Sequence, residues 1–227
     1  MDILSDDGTL ALEMAAAEAD PDSLGAAERM RRRFPPELAA AALTQVALRR
    51  RARMKLPMAD RMFLTPDGLE QATRWMVAQW RAARFVAAGV TEVWDLGCGI
   101  GVDAMAFAEA GLRVHAIESD PATAALARAN LALVGGGDVA VGRAEDVQVP
   151  EGCGIFLDPA RRTARGRTWD VDDLTPPWSL VEDHLRGERV VFAKLGPGLP
   201  KQLIPEDAGA AWVSVGGDVV ELMLSNA

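Results

Sequence analysis

Val93-Trp94-Asp95-Leu96-Gly97-Cys98-Gly99-Ile100-Gly101 runs from a short apolar segment into an acid and three alternating glycines, and an Ala-rich helical pattern opens at Val102. A strand that feeds a glycine turn and then a helix presents backbone N–H groups to a nucleotide-like ligand at the edge of an α/β sheet. The following apolar run, Arg113-Val114-His115-Ala116-Ile117, ends at Glu118, 21 residues after Gly97, with Ser119 beside it. A carboxylate at that spacing can accept both hydroxyls of a ribose, so an adenosine-containing cofactor is expected.

The turn departs from the dinucleotide fingerprint, because position 102 is Val where Gly-x-Gly-x-x-Gly needs glycine. Asp95, two residues before Gly97, would also face the negative charge of a pyrophosphate. A cationic ligand converts that acid into an attractive partner, and S-adenosylmethionine carries both an ammonium and a sulfonium. Asp95 to Gly101 resembles motif I of the class I S-adenosylmethionine-dependent methyltransferases. A nicotinamide or flavin site, or a glycine turn without a ligand, are the competing readings.

With 227 residues the chain has room for one α/β domain and a small additional element. A hydrophobic content of 49% supports a substantial core. The sequence shows neither an apolar run long enough to span a membrane nor a basic leader, so no membrane partner is expected. Cys98 and Cys153 are the two cysteines, and Cys98 lies within the glycine turn, which points to a reducing, cytoplasmic setting. His115 and His184 have no metal-like spacing, and no metal is expected.

The formal charge of −9 argues against a generic nucleic-acid binder, yet 13 of the 24 basic residues are clumped in three groups. One comprises Arg29, Arg31, Arg32 and Arg33; a second Arg49, Arg50, Arg51, Arg53 and Lys55; a third Arg161, Arg162, Arg165 and Arg167. For the first two, a solvated helix face competes with a binding role.

Residues 1–60 read as a helical region, with helices over Thr9 to Ala19, from Ser23 to before Pro35, and from Pro36 to about Lys55. Residues 61–227 read as an α/β domain. Thr65 and Pro66 are good N-cap and first-turn residues for a helix lasting to about Ala88, and its N-terminus suits an anion such as the carboxylate of a methionine moiety. Strands are expected at 92–95, 113–117, 139–141, 154–158, 189–193, 211–215 and 219–224, with helices near 102–109, 121–133 and 178–185 and a short one near Lys201. The fold class is a Rossmann-like, doubly wound sheet of seven strands, six parallel and the last inserted antiparallel, with helices on both faces.

After the third strand, Gly142-Arg143-Ala144-Glu145-Asp146 falls where related sheets meet the adenine, with Ala144 and Glu145 the candidate contacts. The fourth strand ends in Asp158-Pro159-Ala160-Arg161-Arg162, at the position that in amine methyltransferases holds Asp/Asn-Pro-Pro-aromatic. Asp158 and Pro159 match that motif; Ala160 and Arg161 do not, so no ring stacks on a base from there. Trp169 or Trp178 could supply a ring from the long segment Thr163–Pro177, but Pro176-Pro177-Trp178 also suits a helix start. Arg161 and Arg162, in or beside that segment, suit phosphate.

Phe63-Leu64-Thr65-Pro66 resembles the Phe/Tyr-x-Thr-Pro element that precedes motif I in methyltransferases acting on exocyclic amines of nucleobases. Together with Ala42-Leu43-Thr44-Gln45, Phe63 to Thr73, motif I and Asp158 to Arg162, it makes the chain similar to bacterial class I methyltransferases that carry a THUMP-like domain after the catalytic fold. These relate distantly to trimethylguanosine synthases. The resemblance implies S-adenosylmethionine as cofactor, held by Phe63, Thr65, Asp95, Gly97, Gly99, Gly101, Glu118, Ser119, Ala144 and Glu145. It implies Asp158 and Pro159 as catalytic residues, Arg161 and Arg162 as substrate contacts, and structured RNA as partner. The sequence stops after the last expected strand, so the RNA-associated domain is expected to be missing. Methylation of a small molecule, and a cofactor-binding scaffold without catalysis, are the alternatives; the oligomeric state is not legible.

Overall fold

The computed structural model describes residues 3–161 and 171–227, in two compact units, Met1–Arg74 and Trp75–Ala227. The division falls past the expected break at 60, because the segment after the third helix is tied back to it. Gln45, buried, donates from Nε2 to the Leu64 carbonyl at 2.5 Å and accepts from the Leu64 N–H at 2.9 Å. Lys55 donates to the carbonyls of Leu69 and Glu70 at 2.7 and 3.0 Å.

The first unit contains α1 (Asp6–Ala16), α2 (Leu24–Arg31), α3 (Pro36–Ala52) and α4 (Pro66–Gln71). Ser5 and Ser23 cap α1 and α2 by accepting from Gly8 and Ala26 N–H groups, and Pro36 opens α3. Leu12, Met30, Phe34, Leu38, Leu43 and Val46 fill the space among the first three helices. Much of the second basic group is spent here. Arg50 donates to the carbonyls of Ala16, Glu18 and Ala19, which the end of α1 leaves without helical partners. Arg49 donates to the Met62 carbonyl, and Arg53 pairs with Asp60.

The expected long helix from Pro66 is two helices, α4 and α5 (Trp75–Ala87). Ala72 is extended, with ψ of 139°, and Thr73 is buried at the break. A threonine shortly before an apolar run is a start signal that the strong cap at Thr65 concealed.

The second unit continues with β1 (Glu92–Leu96), α6 (Val102–Glu109), β2 (Arg113–Glu118), α7 (Pro121–Leu131), β3 (Asp138–Val141), β4 (Gly154–Leu157), β5 (Ala160–Arg161), β6 (Leu174–Thr175), α8 (Trp178–Leu185), β7 (Val191–Leu195), β8 (Gly209–Val215) and β9 (Asp218–Ser225). Seven strands form one sheet in the order β3-β2-β1-β4-β7-β9-β8. β9 runs antiparallel to both neighbours, and the other ladders are parallel, as expected. Gly216 and Gly217, both at positive φ, close the β8–β9 hairpin in two residues. Phe85 of α5 meets Phe107 and Phe192 edge-on, and Phe107 meets Phe156, which locks helices to the sheet.

After β4, where no strand was expected, β5 and β6 pair as an antiparallel ribbon. Trp178 is buried at the start of α8, so it packs and does not offer a free ring. Arg162, Arg165, Arg167, Trp169 and Asp170 lie outside the described residues. Among the described residues no helix is long and apolar enough to cross a membrane.

Candidate functional site

Strand order reverses between β1 and β4, and the carboxyl ends of strands at such a switch point border a crevice. Register decides which side chains meet there. Leu96 pairs with Ile117 and with Leu157, and Leu157 pairs with Ala193. The residues one step further, Gly97, Glu118, Asp158 and Lys194, therefore line the same edge of the sheet.

The glycine turn is held from below and from the side. The N–H groups of Gly97 and Cys98 both donate to the Ile117 carbonyl, at 2.9 Å each. The Gly99 N–H donates to Glu118 Oε2 at 3.0 Å, and Glu118 Oε1 accepts from the Asp120 N–H at 2.9 Å and the Ser119 hydroxyl at 3.2 Å. Gly97, Gly99 and Gly101 have φ of +100°, +56° and +84°, a region that side chains with a β-carbon rarely adopt. Gly101 is also the N-cap of α6. Asn130 of α7, fully buried, donates to the Ile100 carbonyl and fixes the turn from the other flank.

Asp95 sits at the base of this turn, 1% exposed, and neither carboxylate oxygen has a hydrogen-bond partner among the described residues. Burial first, then the neighbouring Asp103 and Asp158, push its pKa well above the ordinary carboxylate value. The Cys98 thiol is likewise pushed well up, by burial and then by Asp95 and Glu118, so it stays protonated and is a poor nucleophile.

At the end of β4, Asp158 Oδ2 accepts from Lys194 Nζ at 2.5 Å. Burial alone would lower the lysine pKa, but Asp158 and Asp103 raise it, so the ammonium form persists. Behind this pair lies a buried guanidinium: Arg81 of α5 bonds Asp103 of α6 and Glu221 of β9 and stacks over Phe156 at 4.6 Å. Sequence reading passed over Arg81, Asp103 and Glu221. Each is a charge interrupting an apolar stretch, and that was the available signal.

The remaining expected residues divide clearly. Ala144 is buried in a short 3-10 turn, and Glu145 is paired with Arg143 at 2.8 Å. Pro159 is buried, and the backbone of Arg161 pairs with Leu174. Phe63 and Thr65 belong to the first unit: the Thr65 hydroxyl caps α4 by accepting from the Gly68 N–H at 2.9 Å, and the Arg49 guanidinium lies 5.3 Å from the Phe63 ring. His115 stacks on Trp94 at 4.8 Å and faces Glu92, a packed residue as expected. Among the described residues no group of three or more His, Cys, Asp or Glu could hold a metal.

A structure from Porphyromonas gingivalis W83, of a protein assigned as a methyltransferase, superposes with a TM-score of 0.66 at 24% identity, covering 96% of this chain and 57% of that one. A magnesium protoporphyrin IX methyltransferase from Synechocystis, with S-adenosylmethionine bound, gives 0.51 at 12% identity, covering 78% and 88%. The fold is that of the class I methyltransferases. Two curated Mycobacterium tuberculosis proteins, from strains CDC 1551 and H37Rv, are each named an uncharacterized S-adenosylmethionine-dependent methyltransferase. Both are 33% identical over 159 residues, which is 67% of this chain and 43% of the relative. The chain therefore spans less than half the length of these relatives. Residues 2–52 match a family described as a domain of unknown function, DUF8688.

Proposed function

We propose that this chain is an S-adenosylmethionine-dependent methyltransferase acting on an exocyclic amine of an RNA base. The observation that carries the cofactor reading is Asp95, a buried carboxylate with two unpartnered oxygens at the foot of the glycine turn. Such a group is unfavourable unless a cation or donor completes it. The ammonium or sulfonium of S-adenosylmethionine meets that need, whereas a pyrophosphate would worsen it. The names of the Mycobacterium tuberculosis relatives support the same cofactor.

In this reading Gly97, Gly99 and Gly101 let the backbone approach the ligand closely, and Glu118 accepts from the ribose hydroxyls. Ser119, Ala144 and Glu145 border the adenosine. The sequence resemblance assigns Phe63 to the cofactor and Thr65 to its carboxylate end. Asp158 and Pro159 orient the acceptor nitrogen, and Arg161 and Arg162 meet the RNA backbone. When bound, the cofactor would supply an electrophilic methyl group already activated by the sulfonium, so the acceptor nitrogen would need only its lone pair aligned and an outlet to solvent for the proton it gives up. The protein's task is alignment of the acceptor and exclusion of water.

A second reading, methylation of a small molecule, gains from one structural observation. Arg49, Arg50, Arg53 and Lys55 are engaged within the first unit, which subtracts from the charge left to attract a phosphate backbone. Labelled methyl transfer to bulk cellular RNA, followed by nucleoside analysis, separates the readings: radiolabel in RNA in molar excess over protein supports the first, and none supports the second. Calorimetry tests the cofactor itself. Glu118→Ala is expected to weaken S-adenosylmethionine by about 1.5–3 kcal/mol, the worth of charge-assisted hydrogen bonds. Tighter binding of NAD than of S-adenosylmethionine by the unmutated protein would overturn the cofactor reading.

A further inference from the structure

In sequence, Asp158 stands where a free carboxylate would hold the acceptor amine, but in the structure it is already engaged by a cation. Lys194 and Asp158 follow register partners on adjacent strands, Ala193 of β7 and Leu157 of β4, so their side chains emerge side by side at the sheet edge. The contact, at 2.5 Å, is an ion pair with little exposure on the lysine side. The positive charge cannot swing away cheaply. Lys194 is largely buried, and the neighbouring acids Asp103 and Glu221 each already bond Arg81.

Resting on the cofactor reading above, we infer that Lys194 is a specificity-determining residue that cancels the charge of Asp158, so that the acceptor pocket takes an uncharged nitrogen and rejects an ammonium. The physical distinction is large. An aliphatic amine carries a proton at neutral pH, like a lysine side chain, and a site that methylates it must first favour the cation and then remove that proton. The exocyclic amine of a nucleobase or an amide-type nitrogen is neutral, because its lone pair is shared with the ring or carbonyl. A bare carboxylate would attract polyamines and lysine side chains strongly in a water-poor pocket. A carboxylate paired with an ammonium keeps its acceptor lone pairs for N–H donors without presenting net charge. Acceptors are thereby restricted to aromatic or amide-type nitrogen, which agrees with a base amine and argues against protein lysines and polyamines.

The test reads the charge of this pocket without requiring the true substrate. Sinefungin is an S-adenosylmethionine analogue with an amine, protonated at neutral pH, in place of the sulfonium methyl, so its charge points to where the acceptor docks; S-adenosylhomocysteine lacks that charge. Binding of both to wild type, Lys194→Met, Lys194→Arg and Asp158→Asn is measured by calorimetry. Lys194→Met is expected to favour sinefungin over S-adenosylhomocysteine about tenfold more than wild type does, through loss of a like charge nearby. Lys194→Arg should restore the wild-type ratio, which a purely structural role for the lysine would not predict. Asp158→Asn should shift the ratio the opposite way, and it reads the same balance if Lys194→Met fails to fold. A ratio unchanged in whichever of these two variants retains S-adenosylhomocysteine binding overturns the inference. If wild type binds neither analogue, the cofactor reading itself falls and the inference with it.

Discussion

Asp95 is under opposite demands from folding and from binding. Its side chain is buried without a hydrogen-bond partner among the described residues, and burial raises its pKa well above 3.8. An acid whose folded pKa is raised holds its proton more tightly in the folded state, so stability falls as pH climbs from the unfolded value toward the folded one. Asp95→Asn removes that penalty. The variant is expected to be more stable than wild type at pH 7 by about 1 kcal/mol, with the advantage vanishing below about pH 4, where both states of Asp95 are protonated. It should also bind S-adenosylmethionine about tenfold or more weakly, because the charge-assisted contact is gone. Thermal melts across pH, with calorimetry alongside, check both halves; a variant that is less stable and binds equally well would remove Asp95 from the cofactor's surroundings. The acid was legible because it precedes alternating glycines. The state of its carboxyl was not, since that depends first on burial and then on Asp103 and Asp158, 8 and 63 positions away in the chain.

Elements lock together through contacts that the local pattern does not reveal. Gly154 opens β4, and in the sequence it reads only as the edge of an apolar run. In the structure a β-carbon there would lie 2.8 Å from the Phe85 ring of α5 and 2.9 Å from Val90. Phe85 cannot yield easily, because it is fully buried and set edge-on against Phe107 and Phe192. Gly154→Ala is therefore expected to lower stability by about 1–3 kcal/mol, as overpacked cores do. Urea unfolding followed by tryptophan fluorescence measures it, and a wild-type midpoint would mean that α5 shifts freely over the sheet. Similar reasons explain the helix break at 72–74 and the β5–β6 ribbon. Propensity near Thr65 favours a continuous helix, and the two-residue strands of the ribbon are too short for a period to show. The ribbon is made by pairing across a gap in sequence, Ala160 with Thr175 and Arg161 with Leu174.

At the scale of the molecule, charge is the open lever. A net charge of −9 repels a polyanion, so under the proposed RNA reading affinity would have to come from local guanidinium groups. Arg49, Arg50 and Arg53 are committed to carbonyls and to Asp60. The arginines that closely follow Asp158 in the chain become the leading candidates. Replacing Arg161 and Arg162 together by Ala is expected to weaken RNA binding and to flatten its dependence on salt by roughly one to two in the log–log slope, about one for each phosphate no longer neutralised. S-adenosylmethionine, which has no phosphate, should bind unchanged. An unaltered slope in a well-folded double variant would remove these arginines from the RNA contacts.

The sheet, the glycine turn and the two acids that flank it were legible in the chain before any fold was known. Those features follow from local rules: apolar runs of strand length, glycines where the backbone must turn under a ligand, and a carboxylate at or next to the end of each of the first two strands. The helix starts at Ser23 and Thr65 were legible too, because such caps act within three residues of themselves, whereas the first helix begins at Asp6 behind Ser5 rather than at Thr9. That Lys194 pairs with Asp158, that Arg81 bridges Asp103 and Glu221, and that Gln45 clasps Leu64 emerges from the fold alone. Each of those interactions joins residues 19 to 140 positions apart. Burial favours such pairings, because a charge or amide cut off from water is costly unless the fold brings a partner to it, and Asp95 shows the exception that a ligand is proposed to complete.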